Sequence, residues 1–355
     1  MPDISLRRDQ SLSNLDHRNT AVDFLKTFAI FGVIIIHTCG DVLTAQLFSF
    51  NWLCAVILRS LAAASVPLFF LCSGALLLDP EKELSLHKLY TKNLLRIIIA
   101  LFFWAVFYKI FDLILADALT YDAVIQAVKE VLLFRHKYHL YFLQIILLVY
   151  VFLPITRVFV KHASRREWIY LIAIWGILGI VYPTVKGFWP FELLSGTPQQ
   201  WMINQAYAAV GYTLLGYYLD RNPIEFRKGA GMSILGFAVV LGGTMFMTAR
   251  SGTFYTGFLE GMSIGVALMA AGIFSIVKNR ASWGRPYGIT YLSKASFCIY
   301  LIHAAILSAL REIGISPDFA PYLISVPLIA ALNMALSCAV YFLLSHVPLV
   351  RKWLV

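Results

Sequence analysis

The chain has 355 residues, 60% of them hydrophobic and 14% charged; a soluble domain is nearer a quarter charged, so this much apolar surface marks a polytopic membrane protein. The net charge of +10 would suit a nucleic-acid partner if the basic residues formed one domain, but they punctuate apolar spans, which excludes that class. Five cysteines (Cys39, Cys54, Cys72, Cys298, Cys338) are scattered in or beside those spans with no CxxC pair and no metal-ligand spacing, and read as small packing residues.

Residues 1–20 are polar, carry Arg7, Arg8 and Arg18, and are expected to form a disordered cytoplasmic tail. No convincing small-residue cleavage site follows, so the first apolar run reads as an uncleaved helix and not as a signal peptide. Roughly ten spans are expected, at about 21–40, 52–78, 94–117, 139–160, 168–185, 201–219, 231–249, 257–277, 297–313 and 321–345. The expected organisation is a ten-helix, all-α membrane domain over 21–347 and a second cytoplasmic tail over 348–355.

The first span contains FLKTFAIFGVIIIHT, residues 24–38. An ionisable residue inside a membrane helix is costly and marks a working site by default. Lys26 and His37 are separated by about 16 Å of helix axis and lie within roughly 20° of one face. Ile30 and Val33, between them on that stripe, are apolar. A neutral imidazole in a low-dielectric site is a competent general base for a hydroxyl group. The second span, with SVPLFFLCSGALLL at residues 65–78, should bend at Pro67 and pack closely at Ser73 and Gly74. Arg59 within it and Glu260 later are membrane charges without an evident role, candidates for supporting groups.

Lys88, Lys92 and Arg96 precede or open the third span and, with Lys26, make a cationic mouth. Lys92 and Arg96 are four apart, on one helix face, and can hold phosphates, Arg as a fork and Lys as a point charge. The bland reading is cytoplasmic positive charge with snorkelling side chains. Lys109 and Asp112, three apart, read as an internal ion pair. Residues 121–135 are amphipathic and suit the outer membrane surface. The fourth span opens with YHLYFL, residues 138–143, where His139 is either a site residue or part of an interfacial aromatic belt. Pro154 and Pro183 should break the fourth and fifth spans. Late in the chain, SFCIYLIH (296–303) puts Ser296, Tyr300 and His303 on one helix face, for catalysis or for interhelical hydrogen bonds.

With the N-terminus inside, roughly 21 Lys and Arg fall in cytoplasmic segments against roughly six outside, so both termini are expected to be cytoplasmic. No repeat of fixed period and no similarity between halves is visible, and no soluble accessory domain.

Together these segments resemble the acyltransferase 3 family of bacterial integral-membrane O-acyltransferases. VDFLKTFAIFGVIIIH, residues 22–37, is similar to the family's first-helix signature, an Arg or Lys followed by ten residues and His. SVPLFFLCSG resembles its second-helix motif, YHLYFL its His-Leu-Trp-Phe-Leu segment with Tyr141 in place of Trp, and SFCIYLIH its late Ser-x-x-Ile-Tyr-x-x-His motif. Within the family the chain looks most like the enterobacterial common antigen O-acetyltransferase type. The resemblance implies ten helices in the cell inner membrane, acetyl-CoA as co-substrate with no tightly bound cofactor or metal, and a surface-glycan hydroxyl (lipopolysaccharide, exopolysaccharide or a lipid-linked precursor) as acceptor. It implies that His37 is essential and that Lys26 stands where Arg is commoner. Many members carry Arg-x-x-Arg beside the third helix, where this chain has Lys92-x-x-x-Arg96.

The two lines converge on one expectation. Donor phosphates dock near Lys26, Lys88, Lys92 and Arg96, and the pantetheine arm runs inward to His37. His303, Tyr300 or His139 orients the acceptor or stabilises the oxyanion. Direct transfer and a covalent acetyl-histidine both stay open. The rival from another class is a transporter or flippase for a glycan lipid, which should show internal duplication and paired broken helices.

Overall fold

A computed structural model describes residues 19–40, 46–194, 196, 201, 203–280, 284 and 286–355. All but the last two residues of the tail expected over 1–20 lie outside this range. Every regular element among the described residues is helical.

In chain order the helices are α1 (Thr20–Thr38), α2 (Phe50–Ala62), α3 (Ser65–Leu77), α4 (Leu86–Leu115), α5 (Tyr121–Leu132), α6 (Tyr138–His162), α7 (Arg165–Val185), α8 (Gln205–Arg221), α9 (Phe226–Ser251), α10 (Ile264–Asn279), α11 (Tyr287–Glu312), α12 (Tyr322–Ser345) and α13 (Pro348–Trp353). Nine segments among the described residues are long and apolar enough to cross a bilayer, α2 and α3 forming one of them. The chain is an all-α polytopic membrane protein. The expected span at 201–219 is α8, a 17-residue helix that is not among the nine. It is nonetheless an inner helix, with Ala208, Ala209 and Tyr212 buried.

Local sequence explains most helix starts. Side-chain oxygens of Asn19, Ser49, Thr120 and Ser263 accept the first free N–H groups of α1, α2, α5 and α10, and Ser164 with Glu167 forms a capping box at α7. Pro67 does not make the bend in the second span. The chain breaks at Ala63–Ala64, and Pro67 sits in the first turn of α3, where its missing N–H costs little. Helix α6 runs unbroken through Pro154. In α7 the irregularity is a π-helical stretch, Gly176–Val181, a wider turn that accommodates the donor missing at Pro183. Helix α11 starts ten residues before the expected 297, because its polar first turns find partners inside the bundle.

Helix α1 packs against α2, α3, α11 and α12, while α8 packs against α3 and α6. The α3–α8 contact is backbone to backbone: a Cβ on Gly74 would lie 1.8 Å from the Thr213 carbonyl oxygen, and one on Gly216 would lie 2.1 Å from that of Leu71. We call the end at which α1 begins the lower end. There Asp220, ending α8, bonds Asn19 at 3.3 Å and Lys278 at 2.6 Å, and Arg157 of α6 donates to the Leu77 carbonyl at 2.9 Å.

At the upper end Lys109 and Asp112 do not pair with each other. Lys109 reaches Glu130 of α5 at 2.5 Å, and Asp112 takes Lys137 at 2.7 Å. Residues three apart on α4 thus hold two later segments instead of one another. The Lys109 ammonium holds the Glu130 carboxyl below the usual carboxylate range.

Candidate active site

The register of α1 against α11 places the first two site residues. Ser293 donates to the buried Asp23 carboxylate at 2.6 Å, and Thr27 donates to the Ile289 carbonyl at 3.3 Å. About three turns further up both helices, the rings of His37 and His303 stack with centroids 5.1 Å apart.

The short turn Tyr138–Leu140 at the start of α6 supplies the next two. Tyr138 lies 4.9 Å from the His37 ring, and His139 lies 5.1 Å from the His303 ring. This turn is fixed from several sides. Tyr300 donates to the His139 carbonyl, Lys137 beside it is ion-paired to Asp112, and the His139 ring meets Tyr108 edge-on at 4.9 Å. Tyr108 in turn donates to the Leu301 carbonyl at 2.6 Å and accepts from the Ala305 N–H at 3.2 Å. Four sequence-distant segments are thereby locked around one histidine cluster.

His303 is fully enclosed. Its Nδ1 meets the Tyr300 carbonyl at 2.7 Å, which only an N–H can satisfy, so the proton is assigned to Nδ1 and Nε2 keeps its lone pair. That Nε2 is buried without a hydrogen-bond partner. Asn333 of α12 donates to the His303 carbonyl at 2.9 Å and fixes this turn of the helix.

A single cavity of about 790 Å³ runs beside the cluster, within the size range of small-molecule sites. His37, His139 and Tyr300 line it, with Val33, Phe70 and Phe142. His303 is not among the residues lining it and sits behind His37, His139 and Tyr300, which are. The lower end of the wall holds Lys26, Asn93, Arg96 and Lys294. The upper end holds Arg59, Tyr141, Gln205 and Glu260.

Of the cations proposed from sequence, Lys26 and Arg96 are in the wall. Lys88 and Lys92 are exposed and outside it. The cause is a π-helical stretch, Leu89–Leu94, at the start of α4. It changes the rotation per residue, so Lys92 and Arg96 do not share the face that α-helical spacing implies. Arg96 also donates to the main-chain oxygen of Val355, and its guanidinium lies 5.5 Å from the centre of the Phe297 ring.

Sequence reasoning assigned no site role to Tyr138, Lys294 or Gln205, and held Arg59 and Glu260 only as candidate supporting groups. Lys294 lies on the side of α11 away from the buried Ser293, Ser296 and His303, so the polar stripe of that helix did not point to it. Arg59 was visible as a membrane charge, but its position was not. Its Nη1 donates 3.2 Å to the Ile36 carbonyl, one of the free acceptors at the end of α1, so Arg59 caps the helix that carries His37.

A base-capable ring in the wall of a deep cavity, with cations at one mouth, can activate a hydroxyl toward an electrophile carried by an anionic molecule. Residues 19–342 match the family described as an acyltransferase domain. No curated protein and no solved structure is detectably similar to the chain.

Proposed function

The chain belongs to the acyltransferase 3 family, and from that premise we propose that it is an O-acetyltransferase moving the acetyl group of cytosolic acetyl-CoA to a hydroxyl of a cell-surface glycan or its lipid-linked precursor. The observation that supports this most is the position of His37, in the wall of a cavity whose lower mouth carries Lys26, Arg96 and Lys294. Both termini would be cytoplasmic by the excess of basic residues on that side, which makes the lower mouth the donor entrance in the bacterial inner membrane. The family resemblance favours the enterobacterial common antigen type of acceptor.

In this reading the donor phosphates rest on the lower cations and the thioester arm lies along the apolar wall at Val33 and Phe70. His37 takes the proton of the acceptor hydroxyl as its oxygen attacks the thioester carbonyl. The carbon–oxygen bond forms, the carbon–sulfur bond breaks, and the proton passes from His37 to the departing thiolate. Tyr138 and His303 hold the His37 ring from two sides. Tyr300, whose hydroxyl is committed to the His139 carbonyl, and His139 fix the wall facing it.

The test is to incubate membranes with radiolabelled acetyl-CoA and the host's glycan fractions, comparing wild type with His37→Ala. Near-complete loss of label from glycan is expected. Equal incorporation in both removes His37 from the mechanism. A glycan-lipid carrier shares the two-ended cavity, and it would move lipid across proteoliposomes without any acetyl-CoA.

A further inference from the structure

Resting on the acyl-transfer reading, we propose that Arg59, Glu260 and Tyr141 form the acceptor subsite, and that it reads an uncharged pyranose through its hydroxyl groups. All three line the cavity that His37 lines, at the end opposite to Lys26, Arg96 and Lys294. The Arg59 guanidinium spends one donor on the Ile36 carbonyl, while its Nε is buried with no partner. A guanidinium has five N–H donors, and a buried one left unsatisfied is costly unless a ligand or water completes it.

Glu260 lies on the turn between Gly257–Leu259 and α10 and makes no ion pair among the described residues, although it is within electrostatic reach of Arg59 and Tyr141. A donor and an acceptor that face one space without meeting are bridged by a group that is both at once. A hydroxyl is such a group, and a ring bearing neighbouring hydroxyls can serve both sides together. The Tyr141 ring adds an apolar wall for the ring's C–H face and a hydroxyl of its own.

Charge decides between a sugar and a phosphate at this end. Arg59 would attract a phosphate, but Glu260 would repel it, and the two cancel. Among the described residues, the lower mouth has three cations in its wall and no carboxylate. An anionic ligand therefore belongs at the lower mouth and a neutral hydroxylated one at the upper. Arg59 is bonded to the carbonyl of Ile36, the residue preceding His37, and both Arg59 and His37 line the cavity, so this subsite is tied to the helix that carries the ring.

The test uses the full chain in nanodiscs and equilibrium binding of three tritiated neutral probes, octyl glucoside, octyl galactoside and octyl mannoside. Octyl glucuronide and octyl phosphate serve as competitors, and coenzyme A binding is measured in parallel. At least one neutral glycoside should bind saturably, and Glu260→Gln and Arg59→Lys should weaken it tenfold or more while coenzyme A binding stays within twofold. Octyl phosphate should compete poorly. Should Arg59→Lys fail to fold, the exposed Glu260 carries the test alone. Unchanged glycoside binding in Glu260→Gln, no saturable glycoside binding to wild type, or tighter binding of octyl phosphate than of any glycoside overturns the subsite. Wild-type protein that binds a glycoside but acetylates no glycan fraction would instead count against acyl transfer and leave the subsite standing.

Discussion

The two ends of one cavity differ in kind. The lower wall is cationic, with Lys26, Arg96 and Lys294 around Asn93, while the upper wall is balanced, with Arg59 against Glu260 beside Tyr141 and Gln205. A mouth of one sign concentrates ligands of the opposite sign, whereas a balanced mouth selects by hydrogen-bond geometry. His37 lies between them, so a molecule from each end can meet at its ring. The contrast teaches that net charge on this chain is sorted by destination, and the overall +10 describes neither end.

The largest effect should come from the shared centre. His37→Ala is expected to lower acetyl transfer by about 10²–10⁴-fold, the usual contribution of a positioned general base, as read by glycan labelling. Donor binding should persist, because the lower cations are untouched.

Next comes a test of the lower end alone. Lys26→Ala should raise KM for acetyl-CoA by about tenfold, near 1.4 kcal/mol, with a smaller change in kcat. The same variant should leave KM for acetyl-pantetheine, which lacks the nucleotide phosphates, close to wild type. An equal rise for both donors would mean that Lys26 supports the wall and not the phosphates.

His303→Gln should reduce kcat by about tenfold with little change in either KM, since His303 is not among the residues lining the cavity and sits behind rings that are. A change in donor KM as large as that of Lys26→Ala would give His303 direct contact with substrate.

The smallest effect concerns α5, the surface helix that precedes the Tyr138–His139 turn. The Glu130 carboxyl is held below its ordinary range by Lys109, so this contact is fully present at neutral pH. As pH falls past the unfolded value of about 4 and through the depressed folded one, the contact is lost. Hydrogen-exchange protection of α5, corrected for intrinsic rates, should therefore drop only in that acid range, and Glu130→Gln should remove the drop. A fall in protection near pH 6 would point to another group.

Legibility follows physical range. Spans were readable because bilayer thickness fixes their length and their apolar content, and α8 alone among the expected ten is too short to be counted. Lys26 and His37 were readable because one helix sets both their spacing and their face. Lys92 was misplaced by a π-helical stretch that composition does not announce. Lys109 and Asp112 were misjoined because local spacing made each the other's nearest candidate, whereas α5 and the turn before α6 offer closer partners in space.

By itself the sequence determined the class of molecule, the course of most helices and the first-helix pair of cation and imidazole, all of which depend on residues within a few turns of one another. Only tertiary structure decided that His37, Tyr138, His139 and His303 form one cluster, that Lys294 joins Lys26 and Arg96 while Lys88 and Lys92 do not, and that Arg59 and Glu260 line the same cavity. Those meetings depend on the register between helices. That register is set by contacts such as Asp23 with Ser293, 270 positions apart, which no local pattern encodes.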